Sequence, residues 1–205
     1  RFSPAARAVK AHFGQGAGPL TMLYRVNAGA IPREHWIQDP REGGGRILGE
    51  ACHFVDLMQY VCGADPVEVS AACVATDNTA AVPEDDVLIT LRFANGSVGT
   101  IGYFAHGAKG LPKELLEVHG AGRSAVLDNF ARVDLWSGSR RVRKPAAGKG
   151  QEQELKAFLA GVRAGEPPIP LPSLFATSLA TLAALDSLRE RRPVAVDVAA
   201  LTAAP

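Results

Sequence analysis

The residues best suited to chemistry lie in one stretch, Gly43-Gly44-Gly45-Arg46-Ile47-Leu48-Gly49-Glu50-Ala51-Cys52-His53-Phe54-Val55-Asp56. At about 100° per residue, a helix sets His53 about 60° from Glu50 and Asp56 about 120° from it, with Tyr60 on the same arc. Four polar groups thus line one stripe of an otherwise apolar helix. Buried without partners they would cost roughly 1–3 kcal/mol each, so the stripe must face solvent, a cleft or a polar network. Glu50 with His53 reads as an acid–base pair at the mouth of a pocket, held rigidly by the helix. The solvated face of an ordinary amphipathic helix gives the same pattern. Glu50-x-x-His53 is also the spacing of di-iron carboxylate bundles, but no second such motif or four-helix bundle accompanies it.

The remaining motifs are weaker. Gly120-Ala121-Gly122-Arg123-Ser124-Ala125 fits a loose dinucleotide fingerprint, yet the segment after it reads as strand, so a hairpin turn is expected there. Gly14-x-Gly16-x-Gly18 has the wrong spacing and reads as a helix stop. Gly43 to Gly45 sit at a helix N-terminus, where free N–H groups could hold an anion or a hydroxyl, or simply form a flexible entry loop. His35-Trp36 precedes the polar helix, and His106 and Lys113 lie near the end of the central hairpin; each is an exposed residue or a site residue. No GxSxG elbow is present. Cys52 and His53 are helix neighbours and point about 100° apart, which disfavours a Cys-His dyad.

These candidates must be positioned by the elements around them. Ser3 and Pro4 open a short helix to Phe13, Thr21 to Val26 reads as a strand, and a helix is expected from Arg46 to Val61. A block of strands comes next: 67–76, 86–93, 97–104, 114–119, 124–129, 132–136 and 140–144. Asn95-Gly96 is a hairpin signal in which both turn positions are expected at positive φ. Gln151 to Val162 is an amphipathic helix with Leu155, Phe158, Leu159 and Val162 on one face, and Ser173 is the expected cap of a last helix running to Arg191. Successive strands joined by short turns predict an α+β fold: a mostly antiparallel open sheet with helices on one face.

Composition bounds the partners. Net charge is +1 over 205 residues with 47% hydrophobic content, which excludes a disordered chain and argues against nucleic acid. The cluster Arg140, Arg141, Arg143, Lys144 reads as a solvated hairpin. No apolar run reaches the roughly 18 residues of a membrane span, and no secretory signal is visible. Three cysteines without a CxxC pair point to free thiols in the cytoplasm.

The blocks from Tyr24 to Pro32, His35-Trp36 and Gly43 to Asp56, then Asp85-Asp86-Val87, Asn95 to Ile101, Pro112-Lys113-Glu114 and Leu127 to Phe130, resemble the C-terminal domain of the Gfo/Idh/MocA oxidoreductases. These are the relatives of glucose-fructose oxidoreductase and inositol dehydrogenase. The resemblance implies a single substrate-binding and oligomerisation domain over residues 1–205, with the dinucleotide-binding Rossmann domain absent from this chain. It implies hydride transfer at a sugar or polyol carbinol, NAD or NADP in the full-length protein and none bound by this chain alone, and homo-oligomers built through the sheet face. His53 matches the family histidine that exchanges a proton with the substrate oxygen, and Glu50 is its catalytic companion. Asn27, His35, Trp36, Asp56 and Lys113 are the implied substrate-binding residues. The family pattern has Asp four residues before that histidine; here the position is Gly49, and Glu50 is the nearest acid. On this reading the isolated chain is folded and inactive. Two alternatives stand beside it: a stand-alone binding or assembly module derived from such enzymes, and a metal-dependent hydrolase using Glu50, His53 and His106.

Overall fold

The computed structural model describes residues 1–14, 18–75, 82–146 and 148–199. Gly16 in the expected helix stop and Thr76 at an expected strand end lie outside the described residues. Ser3 caps α1 (Pro4–Phe13) as its sequence predicts: its hydroxyl accepts the Ala6 N–H at 3.0 Å, and Pro4 fills the first turn, where no N–H is needed. The chain continues through β1 (Thr21–Asn27), a π-helical turn (Ile47–Ala51), α2 (Cys52–Cys62), β2 (Pro66–Cys73), β3 (Asp86–Phe93), β4 (Val98–Phe104), β5 (Glu114–Gly120), β6 (Arg123–Asp128), β7 (Arg132–Ser137), β8 (Arg140–Pro145), α3 (Gln151–Ala164), α4 (Leu171–Glu190) and a two-residue β9 (Val194–Ala195).

The strands form one nine-stranded sheet in the order β8-β7-β6-β5-β1-β4-β3-β2-β9. All neighbours are antiparallel except β1 and β4, which run parallel with Thr21 opposite Val98. Strand β1 is therefore the seam between two meanders. One face is apolar: Val87, Ile89, Leu91 and Phe93 alternate inward along β3 while Leu88, Thr90 and Arg92 point outward. Against the inner face pack α1, α2 and α4. Helix α2 comes close because β4 offers Gly99; a Cβ there would stand 2.8 Å from the Met58 sulfur. Helix α4 turns small residues inward, Ala176, Ala180, Ala183 and Ala184 among them, and leaves Leu174 and Leu182 exposed. It is the one described helix long and apolar enough to cross a membrane by length and composition, and here it lies on the sheet.

Two local expectations change, and the reading of Gly120–Gly122 as a hairpin turn holds. The Asn95-Gly96 hairpin forms, but only Gly96 has positive φ (+83°). The Gly96 N–H donates to Phe93 C=O and the Phe93 N–H to Ser97 C=O, both at 2.9 Å, so the glycine accommodates the left-handed position of a slightly longer turn. Ser173 does not cap α4, which starts two residues earlier at Leu171; its hydroxyl instead accepts from Arg1 and Gln59. The Gly120–Gly122 motif is the β5–β6 hairpin turn and leads into a strand, not a helix.

Candidate active site

The triglycine segment sets the entry to the polar helix. Gly44 and Gly45 take φ of +71° and +85°. A Cβ on Gly43 would lie 2.3 Å from the Ile37 Cα, so only glycine lets this loop pack on the 3-10 turn Trp36–Gln38. The Gly45 N–H donates to Ile37 C=O at 2.8 Å. The helix expected to start at Arg46 opens instead with the π-helical turn Ile47–Ala51 and becomes α-helical only at Cys52. A π turn places one extra residue per turn, so even 100° spacing does not hold between Glu50 and His53.

Arg46 is buried at the foot of this turn. Its Nη1 donates to Gly29 C=O at 2.6 Å, its Nη2 lies 3.2 Å from Glu50 Oε1, and its guanidinium sits 4.9 Å from the Tyr103 ring centroid. Asp85, also buried, is 3.9 Å away through Oδ2, which accepts from Gln38 at 2.7 Å. Burial pushes the Asp85 carboxyl above its usual range, partly offset by the Gln38 hydrogen bond and the Arg46 charge. Burial likewise pushes the Tyr103 hydroxyl up.

Glu50, His53 and Asp56 line a cavity of about 590 Å³ between α2, the cavity-side ends of β1 and β5, and the N-terminal turns of α3 and α4. His53 is exposed and makes no hydrogen bond among the described residues. Lys113 borders the same cavity with Nζ 3.8 Å from Glu50 Oε2. Asp56 is engaged by Arg1, whose Nε donates to both carboxylate oxygens at 2.8 and 2.9 Å. Cys52 also borders the cavity, and burial pushes its thiol up, away from the thiolate a nucleophile needs.

Sequence reasoning missed a second cluster in this cavity. Glu114, buried at the start of β5, accepts the Tyr24 hydroxyl at 2.5 Å and the Lys149 ammonium at 2.5 Å. Lys149 also lies 5.4 Å from the Phe130 ring centroid. Burial and the neighbouring Glu114 charge raise the Tyr24 pKa well above its usual value, so Tyr24 stays a donor. The available signal was register: Glu114 is in phase with inward-facing Leu116 and Val118, and Tyr24 with Met22 and Val26.

The structure does not bring the other candidates to this cavity. Asn27 holds the neighbouring loop, its Nδ2 donating to Ala108 and Leu111 carbonyls at 2.8 and 3.0 Å beside a separate cleft of about 430 Å³. His35 caps the 3-10 turn through Nδ1, and Trp36 is 59% exposed beside it; neither lines the cavity. Tyr60, expected on the polar stripe, instead carries the Lys10 ammonium 5.1 Å from its ring centroid. His106 pairs with Asp86 outside the cavity lining, so the hydrolase arrangement of Glu50, His53 and His106 does not form. Among the described residues no three His, Cys, Asp or Glu side chains converge as metal ligands would.

This arrangement can hold a hydroxylated molecule and exchange a proton with it through His53. The family model described as the GFO/IDH/MocA C-terminal domain matches residues 5–126. Among solved structures, the chain is similar to an aldose-aldose oxidoreductase from Caulobacter crescentus complexed with glycerol (TM-score 0.78, 17% identity, 95% of this chain and 61% of that one). It is similar to an NAD binding oxidoreductase from Klebsiella pneumoniae (TM-score 0.74, 19% identity, 95% and 64%). It is also similar to levoglucosan dehydrogenase in complex with NADH and levoglucosan (TM-score 0.73, 22% identity, 95% and 64%). At these identities the likeness is one of fold, and the chain spans under two thirds of each of these structures. No curated protein sequence matches it.

Proposed function

The chain belongs to the GFO/IDH/MocA C-terminal domain family, and we propose that it is the substrate-binding half of an NAD(P)-dependent oxidoreductase acting on a CH–OH group of a sugar or polyol. The observation that carries this reading is the cavity that gathers Glu50, His53 and Lys113 with the Tyr24–Glu114–Lys149 cluster. Alternating donors and acceptors suit a ligand with several hydroxyls, each of which both donates and accepts. The glycerol and levoglucosan held by the similar structures are such molecules.

The GxGxxA motif of this chain turns a β-hairpin and offers no helix N-terminus to a pyrophosphate. On this reading the nicotinamide is held by a separate domain of the full-length protein, and this chain's residues handle the substrate and its proton. His53, without a hydrogen-bond partner among the described residues, takes the proton of the reacting hydroxyl during oxidation and returns it in the reverse direction. Glu50, fixed by Arg46, gives the imidazolium a nearby negative charge, and Lys113 donates to a substrate oxygen. Glu50 takes the place of the family aspartate: a Cβ on Gly49 would meet the Ile37 side chain at 3.1 Å, whereas Glu50 lines the cavity.

Two further parts of the reading rest on surface character. The outer sheet face exposes Leu23, Val67, Leu88 and Val98 by 38% to 50% each, which suits assembly into a homo-oligomer through that face. Free Cys52, Cys62 and Cys73 suit a reducing cytoplasm.

The test is to express the native polypeptide containing this chain and follow nicotinamide absorbance with NAD+ and NADP+ over a panel of sugars and polyols. Turnover of at least one, with none from residues 1–205 alone, is the expected result. A native polypeptide that binds polyols but binds no dinucleotide and oxidises none would contradict it and favour a stand-alone binding module.

A further inference from the structure

Phe130 adopts a backbone conformation that its side chain resists. It sits in the β6–β7 turn at φ +55°, directly after Asn129 at φ +48°, and the Ala131 N–H closes the turn on Asp128 C=O at 2.9 Å. Two successive residues at positive φ favour Asn followed by Gly, because a Cβ in the left-handed region crowds the following carbonyl oxygen. The β3–β4 turn of the same chain puts Gly96 at its left-handed position. In the β6–β7 turn an aromatic stands where glycine is the unstrained choice, and Phe130 is the one aromatic at positive φ among the described residues. The surroundings hold it there. The Asn129 N–H donates to Glu114 C=O at 2.8 Å, the Ala146 N–H donates to Ala131 C=O at 2.9 Å, and Lys149, bonded to the Glu114 carboxylate, stands over the ring. Core packing alone does not account for the arrangement, since the side chain is only partly buried against the core and also lines the cavity. Backbone strain of this kind clusters at ligand-contacting positions.

We propose that Phe130 is a substrate-contacting residue: its ring is the apolar wall against which the C–H face of the sugar or polyol packs. The proposal rests on the oxidoreductase reading above. Such a substrate needs two kinds of surface. Glu50, His53, Lys113 and Lys149 line the cavity and can pair with hydroxyls. The carbon-bound hydrogens gain nothing from those groups and leave water favourably only against an apolar surface. Hydrogens on oxygen-bearing carbons carry a small positive charge, which draws them to the negative face of an aromatic ring. Phe130 brings that ring into the same lining as the polar groups. The Lys149 ammonium, 5.4 Å from the ring centroid, ties the ring to Glu114 and so to the sheet. Glycine at this position would relieve the backbone and lose the wall. Leucine would keep apolar bulk and lose the aromatic face.

The test uses the full-length protein and the sugar or polyol that it oxidises fastest. Four variants separate the ring from the turn: Phe130→Gly, Phe130→Ala, Phe130→Leu and Phe130→Tyr. Phe130→Gly should unfold at a higher urea concentration than Phe130→Ala, because only glycine relieves a φ of +55°. Phe130→Gly and Phe130→Leu should raise KM about tenfold or more with kcat within about twofold, and Phe130→Tyr should keep KM within about threefold of the parent. The rise in Phe130→Leu should persist in a Lys149→Met background, because the ring meets the substrate itself. An unchanged KM in Phe130→Leu would overturn the wall and leave the oxidoreductase reading standing. A rise that vanishes in the Lys149→Met background would overturn it in favour of Phe130 as a positioning residue for Lys149. An alanine variant as stable as the glycine variant would overturn the strained turn from which the proposal starts. A full-length protein that oxidises none of the sugars and polyols offered would overturn the reading beneath it.

Discussion

Arg46 and Glu50 meet across the π-helical turn at 3.2 Å, with the arginine side chain 2% exposed and the glutamate 22%. The buried guanidinium thus holds a carboxylate at the cavity edge. It also neutralises Asp85 and caps Gly29 C=O. Removing one member of a buried ionic group strands the others.

Arg46→Met is accordingly expected to destabilise the fold by about 3–5 kcal/mol, the usual cost of leaving a buried charge without its partner. Adding Asp85→Asn should recover part of the loss, because the stranded carboxylate is gone. Arg46→Lys should also lose stability, since an ammonium cannot serve Gly29, Glu50 and Asp85 together. Denaturant midpoints of the four proteins measure this; a loss under about 1 kcal/mol for Arg46→Met would contradict the network.

Glu50→Gln should lower the rate of substrate oxidation by roughly 10²-fold, the lower end for a group that assists proton transfer. Restoring an acid one residue earlier, as Glu50→Gln with Gly49→Asp, should not recover it, because that side chain leaves the backbone toward Ile37. Recovery to the parent rate would mean that position 49 reaches the site.

The buried cluster makes a separate prediction. Tyr24→Phe should cost about 1–3 kcal/mol of stability by removing a hydrogen bond from a buried carboxylate. Lys149→Met, at a side chain that is half exposed, should raise KM with little change in kcat. The opposite split would place Lys149 in the chemical step.

Asp134 titrates far from the cavity. Hydrogen bonds from Arg143 and Arg141 lower its pKa to about 2. A depressed carboxylate stabilises the fold fully above its unfolded value near 3.8 and loses that contribution as pH falls toward 2. The stability gap between the wild type and Asp134→Asn should therefore shrink between about pH 4 and pH 2 in urea melts. A gap unchanged with pH would contradict the pairing. The same contacts show why the basic run at 140–144 is less free than its composition suggests: two of its arginines face one aspartate across β7 and β8.

The α+β class, the capped first helix and the meandering strands were legible because period-two alternation and capping chemistry are local signals. That Glu50, His53 and Asp56 line one cavity was legible because they share one helical segment, whereas Lys113 came from the resemblance. Glu114, Tyr24 and Lys149 were not, because they meet from positions 35 and 90 residues apart. The π turn was hidden, since a helical wheel assumes one angle throughout. Which face of α4 meets the sheet was not legible either: its alanines are buried, while Leu179, Leu185 and Leu188 are only partly buried against the core. Asn27 and His35 were drawn toward the site by resemblance, but local loop hydrogen bonds already occupy them.

In the proposed function His53 carries the proton step. Single-turnover substrate oxidation by the full-length protein, with dinucleotide bound and substrate saturating, isolates its role. His53→Ala should slow that step by a factor on the order of 10²–10⁴ without weakening dinucleotide binding. An unchanged single-turnover rate would show that the proton leaves by another route and would contradict the proposed site.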